Sequence, residues 1–281
     1  MAEKATPAVV KQILFTALDA LRDYLSDLVI VGGWVPQIHA WKEEVPEIPV
    51  RSYDVDAAVA RKVPVRGQKG IVAALEGADF EKIVKDSSFG LAAFGQKKLP
   101  ITQFYYHKGK IEIPVEFITP LIGSGEESSV MIQGGLVAPA LRYTEIVLNN
   151  TETVSLIGET VGGEKKRFTF KVPTLSAFVF AKGLIFARRG DPDKKEKDLA
   201  YIFAVLDRPS WRKAVVDGFP ELVAKHPAGW FRTFKRQLGE AFATEGSTGP
   251  TWVARQYPQR VAAEMRREAF GSFQDFLREV G

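Results

Sequence analysis

The spacing of apolar residues changes along the chain from a mixed pattern to a helical one. Residues 7–26 repeat apolar side chains at intervals of three and four, which predicts an amphipathic helix. Short apolar runs bounded by glycine or proline follow, and these are typical of strands. After Pro173 the pattern is mostly helical, with breaks near residues 190–194 and 246–250. We therefore predict an α+β fold with domains at residues 1–170 and 171–281.

The middle of the chain is predicted to contain a helix, a hairpin, a loop and a ribbon. Helical spacing in "QKGIVAALEGADFEKI" predicts one helix over residues 68–83. The stretch "ITQFYYHKGKIEIPVEFITPL" predicts a β-hairpin that turns near Gly109. Residues 123–140 show little periodicity and are predicted as a loop. Residues 143–174 are predicted as a β ribbon with turns at residues 149–150 and 162–163.

Composition excludes several kinds of site and location. The chain has 281 residues, of which 46% are hydrophobic and 26% charged, as in globular proteins with a sizeable core. It has no cysteine, which excludes disulfides and thiolate metal sites. The first residues lack a signal-peptide layout, and no apolar run is long enough to span a bilayer. We therefore expect a cytoplasmic protein without a membrane partner.

The positive charge of the chain is concentrated in its last quarter. From Arg208 onward there are 12 Lys and Arg against 8 Asp and Glu, and this excess equals the net charge of +4. Helical spacing places Arg232, Lys235 and Arg236 opposite an aromatic face. Such a basic face can bind RNA phosphates. The alternative is an ordinary solvated helix surface.

Two carboxylates stand in the apolar stretch "RSYDVDAAVARK". Asp54 and Asp56 are two residues apart, so in a strand they share one face and repel each other unless a cation lies between them. Glu116, in the apolar part of "KIEIPVEFITPL", offers a third carboxylate, whereas Glu112 is nearer the turn and predicted to be solvated. Carboxylates on adjacent strands can hold Mg²⁺ ions ~4 Å apart. An exposed edge strand is the alternative explanation for the Asp-x-Asp pattern.

A pair of glycines separates the strand "LVIV" from the helix that follows it. Gly32 and Gly33 allow unusual backbone dihedrals and close approach of a ligand. Backbone N–H groups at the start of a helix attract phosphate oxygens. Glycine pairs after strands are also common without any function. The order of glycine pair, Asp-x-Asp and later Glu is more specific than any one of these features.

In this order, "VIVGGW", "YDVDAAV" and "PVEFITP" resemble the nucleotidyltransferase superfamily that includes DNA polymerase beta. The likeness is nearest to the AbiEii-type toxin subgroup, whose R-x-S-x-D-x-D motif is similar to "RSYDVD", and it covers roughly residues 28–206. The resemblance implies a nucleotidyltransferase-type mixed β-sheet flanked by helices and followed by a mainly helical domain. It also implies Mg²⁺ or Mn²⁺ held by Asp54, Asp56 and Glu116, with an NTP as substrate.

The same resemblance implies roles for other residues and partners. Lys182 would approach the triphosphate together with Gly32, Gly33 and Arg51, and Asp198 would orient Lys182 or the acceptor. RNA or tRNA is the implied acceptor, bound by the basic C-terminal face, and an antitoxin is an implied protein partner. The expected reaction transfers a nucleoside monophosphate from NTP to an acceptor hydroxyl and releases pyrophosphate.

Two other functions stay open at this point. Tyr201 stands where the subgroup often has a second Asp, which leaves room for a catalytically silent module that binds nucleotide or RNA. A small-molecule nucleotidyltransferase, similar to antibiotic-modifying enzymes, would not depend on the basic C-terminal face.

Overall fold

The chain divides into two compact units. A computed structural model describes residues 6–85, 99–109, 111–123 and 128–281. One unit takes the chain up to Trp34 together with Arg51–Val172, and the other combines Val35–Val50 with Pro173–Gly281. The second unit thus includes a short segment from the N-terminal part of the sequence. The predicted division into domains at residues 1–170 and 171–281 stays a prediction.

Helices and strands alternate in the first unit, and the second is helical. In chain order the elements are α1 (Pro7–Ala20), β1 (Leu28–Val31), α2 (Trp34–Lys42), β2 (Val55–Val59), α3 (Ile71–Glu76), β3 (Phe80–Lys85), β4 (Ile101–Lys108), β5 (Ile111–Pro120), β6 (Ser128–Gln133), β7 (Leu136–Leu141), α4 (Thr144–Asn149), β8 (Thr151–Glu159), β9 (Lys165–Pro173), α5 (Leu175–Ile185), α6 (Pro192–Leu206), α7 (Pro209–Ala224), α8 (Ala228–Ala241), α9 (Thr248–Arg255) and α10 (Ala262–Glu279). Short 3₁₀ turns lie at Arg22–Tyr24 and Phe186–Arg188.

The strands of the first unit form a mixed sheet. Among the described strands the order is β3-β4-β5-β2-β1-β9-β8, with β7 also paired to β5 and β6 paired to β7. β1 and β2 are antiparallel, whereas β2 and β5 are parallel, as are β1 and β9. These pairings confirm the predicted fold class, a mixed sheet flanked by helices and followed by a helical region. The arrangement is consistent with a nucleotidyltransferase-like fold.

Alternating burial along β4 and β5 distinguishes the two faces of the sheet. Phe104, Val115 and Phe117 are at most 1% exposed and form part of the core. Because successive side chains point to opposite faces, Gln103 and Glu116 lie on the other face, where they are half-buried. The sheet therefore presents one apolar face to the core and one face that carries polar side chains.

Three stretches of the first unit differ from the sequence prediction. The predicted helix over residues 68–83 ends at Glu76, because Asp79 has a left-handed backbone (φ 63°) and the chain continues as β3. The predicted loop at residues 123–140 contains β6 and β7, which pair around Gly135 (φ 76°). The predicted ribbon from residue 143 begins instead with the helix α4, and only β8 and β9 form its strands.

The second unit has an aromatic core and confirms the predicted helical C-terminal part. Phe219 and Phe234 contact each other and both Phe180 and Phe276, with ring centroids 5.3 to 6.2 Å apart. Burial of such large side chains is the main stabilising contribution in a small helical core. Within the described ranges, no helix is both long enough and apolar enough to cross a membrane.

Candidate active site

Asp56 and Glu116 face each other across two neighbouring strands. β2 and β5 run parallel in a register that pairs Asp56 with Glu116. The flanking residues Val55, Ala57 and Val115 are at most 1% exposed on the opposite face, so the two carboxylates point to the polar face together. The strands of a sheet lie about 4.8 Å apart, which brings the two half-buried side chains side by side. The sequence predicted this convergence from adjacent strands.

The glycine pair forms the turn between β1 and α2, and the Asp56 carboxylate packs against it. Gly32 has a left-handed backbone with φ 70°, which favours glycine. A Cβ atom at this position would stand 2.1 Å from Asp56 Oδ2, well inside van der Waals contact. Glycine at position 32 therefore allows the left-handed turn and also leaves space for the Asp56 carboxylate. Gly33 follows it in the turn and is buried.

Asp54 lies just outside the strand that carries Asp56. β2 begins at Val55, whereas the sequence prediction began the strand at Tyr53. Asp54 sits in a bend, where its Oδ1 accepts a hydrogen bond from Ser52 Oγ at 2.6 Å. Its carbonyl oxygen accepts another from Trp34 Nε1 at 2.7 Å. These contacts hold the segment in place and direct one carboxylate oxygen toward Ser52. Arg51 precedes this segment and is half-buried.

Glu116 is oriented by a neighbour that the sequence reasoning missed. β4 pairs with β5 so that Gln103 stands opposite Glu116, and Gln103 Nε2 donates a hydrogen bond to Glu116 Oε1. The register of the β4–β5 hairpin determines that Gln103 stands opposite Glu116. A turn that pairs Lys108 with Ile111 also pairs Gln103 with Glu116, five residues further along each strand.

The donor chemistry of this face suits a hard divalent cation. Among the residues that the structure describes, no three His, Cys, Asp or Glu side chains form a group that could hold a metal ion by themselves. Mg²⁺ commonly uses only one or two protein carboxylates, together with substrate phosphates and water. Asp56 and Glu116 supply such a pair, and Gly32 leaves room for the Asp56 carboxylate beside the turn. The three-carboxylate arrangement with two ions stays a prediction.

Lys182 and Asp198 form a buried ion pair in the second unit. Lys182, on α5, is 8% exposed and Asp198, on α6, is 2% exposed. Lys182 Nζ donates to Asp198 Oδ1, while Arg189 Nε donates to Asp198 Oδ2 at 2.9 Å. Lys182 Nζ also lies 5.5 Å from the ring centroid of Tyr201. The structure thus places Lys182 and Asp198, two residues that the sequence singled out, in direct contact. Their role toward a nucleotide stays a prediction.

Two of the basic side chains of α8, Lys235 and Arg236, have partners within their own unit. Lys235 Nζ donates to the carbonyl oxygen of Gly281 and lies 5.5 Å from the Phe231 ring centroid. Arg236 pairs with Glu240 at 3.3 Å, one turn further along the helix. Arg232 is exposed. Part of the positive charge on this face is therefore neutralised locally, and RNA binding there stays a prediction.

Comparison with known proteins gives one distant structural likeness. No protein-family model matches the chain, and no curated protein matches it. A structure search finds an antigenic nucleotidyltransferase-like protein from Paracoccidioides brasiliensis, at 15% sequence identity and a TM-score of 0.36. The match covers 82% of this chain and 94% of the other.

Proposed function

We propose that this protein is a metal-dependent nucleotidyltransferase that moves a nucleoside monophosphate from an NTP to an acceptor hydroxyl. The observation that carries the proposal is the pairing of Asp56 with Glu116 on the polar face of the sheet, with the Asp56 carboxylate packed against Gly32. Phosphoryl and nucleotidyl transfers need positioned charge more than covalent chemistry from the protein. Two adjacent carboxylates beside a glycine turn supply the elements of such a site.

The proposed reaction exchanges one bond to phosphorus for another. The acceptor oxygen forms a bond to the α-phosphorus as the bond from this phosphorus to the pyrophosphate oxygen breaks. The acceptor proton passes to solvent. When bound, Mg²⁺ neutralises charge on the phosphates and lowers the pKa of the acceptor hydroxyl.

The carboxylates and the glycine turn of the first unit have separate tasks in this proposal. Asp56 and Glu116 would hold Mg²⁺ through their carboxylate oxygens, and Asp54, whose Oδ1 accepts a hydrogen bond from Ser52, would add its Oδ2. The backbone N–H groups of Gly32 and Gly33 bind phosphate oxygens at the turn.

The acceptor is a hydroxyl of RNA, of a protein or of a small molecule, and a labelling experiment distinguishes these. The protein is incubated with Mg²⁺, each of the four α-labelled NTPs, and either total RNA, a protein extract or hydroxylated amines. We expect label on one acceptor class and loss of that label in Asp56→Asn. If the wild-type protein transfers no label from any NTP to any acceptor, the proposal is wrong.

If RNA is the acceptor, the basic face of α8 should bind its phosphates. Charge reversal at Arg232, Lys235 and Arg236 should then weaken transfer and its dependence on salt concentration, because phosphate contacts release counterions. Transfer that is unaffected by these changes favours a small-molecule acceptor instead.

The toxin-like role is tested by growth. Expression of the wild-type protein in a bacterial host should arrest growth, and expression of Asp56→Asn should not, if transfer to a cellular RNA is the toxic event. Equal growth of both strains at equal protein level would contradict the toxin-like role. An antitoxin would be a co-expressed protein that restores growth.

A further inference from the structure

Four side chains on the polar face of β3, β4 and β5 form a continuous row of hydrogen bonds that ends at Glu116. Lys85 Nζ donates to the Tyr105 hydroxyl, and this hydroxyl donates to Gln103 Oε1 at 3.0 Å. Gln103 Nε2 then donates to Glu116 Oε1. The register of β4 with β5 sets Gln103 opposite Glu116. The register of β3 with β4 sets Lys85 opposite Ile101, on the strand face that also carries Gln103 and Tyr105, and the long Lys85 side chain reaches along this face to the Tyr105 hydroxyl.

The chemistry of the two ends fixes the direction of every hydrogen bond in the row. The Lys85 ammonium can only donate, and an ionised Glu116 can only accept. The Tyr105 hydroxyl therefore accepts from Lys85 and donates to Gln103. The Gln103 amide must then present its oxygen to Tyr105 and its nitrogen to Glu116, because the reverse orientation would place two acceptors against each other. The orientation of this amide is thus set by its neighbours.

We infer that Gln103 and Tyr105 are positioning residues that hold the Glu116 carboxylate beside Asp56 for divalent-cation binding, an inference that rests on the proposed function. Gln103 uses one amide hydrogen to fix Glu116 Oε1, and this holds the carboxylate on the sheet face that also carries Asp56. Tyr105 acts one step further away by keeping the Gln103 amide from turning over. Second-layer hydrogen bonds of this kind orient carboxylate ligands in metal sites.

The geometry favours a positioning role over a purely structural one. Phe104 and Val115 are buried in the core on the opposite face of the sheet, so the row of hydrogen bonds lies on the face away from this core. Glu112 lies on the same strand face, four residues from Glu116, and is exposed. Glu112 lies near His107, with Glu112 Oε1 3.8 Å from His107 Nδ1. The strand thus carries two glutamates on one face, and the one that pairs with Asp56 is fixed by the amide.

Steady-state kinetics test the inference with substitutions that keep side-chain size. Gln103→Met should lower kcat by about 10- to 100-fold and change the KM for NTP little, because a second-layer residue orients a ligand and does not bind substrate. Tyr105→Phe should lower kcat by a smaller factor, because the Gln103 amide is then free to turn over. The double variant should lose no more than Gln103→Met alone, because both act through Glu116. Glu112→Gln is the matched control and should keep wild-type kinetics.

Binding of Mn²⁺ alone, without nucleotide, gives a second readout that does not depend on activity. Electron paramagnetic resonance of free Mn²⁺ should show about tenfold weaker binding by Gln103→Met and unchanged binding by Glu112→Gln. Thermal melting should show that both variants stay folded.

The two readouts separate failure of the inference from failure of the proposed function. If wild type transfers nucleotide and Gln103→Met matches it in kcat and in Mn²⁺ binding, the positioning role is wrong and the function stands. If wild type transfers nothing but Gln103→Met weakens Mn²⁺ binding, the positioning role stands and the function is wrong. Losses in the double variant that multiply, or a change confined to KM, contradict the positioning role. Absence of both transfer and Mn²⁺ binding in wild type overturns both.

Discussion

At the scale of single residues, Gly32 combines a left-handed backbone with a close approach to the Asp56 carboxylate. Gly32→Ala must place a methyl group in a left-handed turn and against the Asp56 carboxylate. Gly163 has a similar backbone, with φ 81°, but a methyl group there meets no atom within 4 Å. Substitution by alanine therefore carries the same cost of a left-handed backbone at both positions. Only at Gly32 does the added methyl group also contact a proposed metal ligand, Asp56.

This difference gives a matched pair of variants. Both Gly32→Ala and Gly163→Ala should lose about 1–2 kcal/mol of unfolding free energy in urea denaturation, from the left-handed backbone. Only Gly32→Ala should also lose nucleotidyl transfer and a further increment of stability, because Asp56 has to move. Transfer by Gly32→Ala at the wild-type rate would show that the Asp56 position is not critical.

A second residue-scale prediction concerns pH. Arg66 holds Asp27 through two hydrogen bonds, Nε to Oδ2 at 2.8 Å and Nη2 to Oδ1 at 2.9 Å. The hydrogen bonds from Arg66, and then its charge, lower the pKa of Asp27, although partial burial opposes the shift. A lowered folded-state pKa stabilises the protein above the unfolded value of about 3.9, and this contribution is lost as the pH falls through the folded value.

The expected effect of Asp27→Asn follows from this sign. The variant should be less stable than wild type at pH 7 by about 0.5–1 kcal/mol, since Arg66 is half exposed and the pair is screened. The difference should shrink as the pH falls below about 4. Urea denaturation at pH 7, 5 and 3 measures it. A difference that grows toward low pH would contradict the role of this ion pair.

The sequence pointed to the carboxylates of the candidate site but not to their neighbours. Asp56 and Glu116 stand out because a charge in an apolar strand needs a reason. Gln103 and Tyr105 are ordinary polar residues in the alternating strand "ITQFYYHK", and only the register of the hairpin gives them a special position. Register depends on pairing between strands, which periodicity along a single strand does not reveal.

At the scale of elements, helix packing in the second unit gives a test of the fold. Gly183 lies on α5 where a Cβ atom would stand 2.3 Å from the ring of Phe234 on α8. Gly239, also on α8, has no atom within 4 Å of such a Cβ. Gly183→Ala should destabilise the protein by about 1–3 kcal/mol through overpacking.

Gly239→Ala is the control for this change and should stabilise by up to about 1 kcal/mol, because alanine favours the helix. Chemical denaturation monitored by circular dichroism measures both variants. Equal effects of the two substitutions would contradict the packing of α5 on α8.

The sequence predicted elements correctly where the apolar spacing extends over a long segment. It missed elements where a local break in the backbone determines whether a helix or a strand forms. α1, α2, α5 and α6 follow apolar spacing that extends over two turns or more, and the structure contains all four. The segment at residues 68–83 has apolar residues that satisfy either period, and the left-handed Asp79 decides in favour of a short helix and a strand. β6 and β7 are short strands that gain their stability from pairing with each other and, for β7, with β5.

At the scale of the whole molecule, the two compact units are not two consecutive pieces of sequence. The segment Val35–Val50 belongs with the C-terminal helices. Trp211 Nε1 donates to Glu43 Oε2 at 2.7 Å, and His39 Nε2 lies 3.0 Å from the carbonyl oxygen of Pro173. Both contacts join this segment to the rest of its own unit. The spacing of apolar residues does not reveal such a long-range association.

This organisation predicts the behaviour of a fragment. Residues 171–281 alone should melt with little cooperativity, because Trp211 and its neighbours lose the segment that covers them. A peptide of residues 35–50 should restore a cooperative transition when it is added. Circular dichroism at increasing temperature measures this. A fragment that melts cooperatively without the peptide, at the temperature of the intact chain, would contradict the composition of the second unit.

The central claim is that Asp56 and Glu116 together support nucleotidyl transfer, and release of pyrophosphate measures it most directly. Pyrophosphate is quantified for wild type, Asp56→Asn, Glu116→Gln and Glu112→Gln with Mg²⁺, the preferred NTP and its acceptor. We expect release by wild type and Glu112→Gln at similar rates, and at least about 100-fold less by the other two variants. Equal release by all four proteins, or none by wild type with any NTP, would contradict this claim.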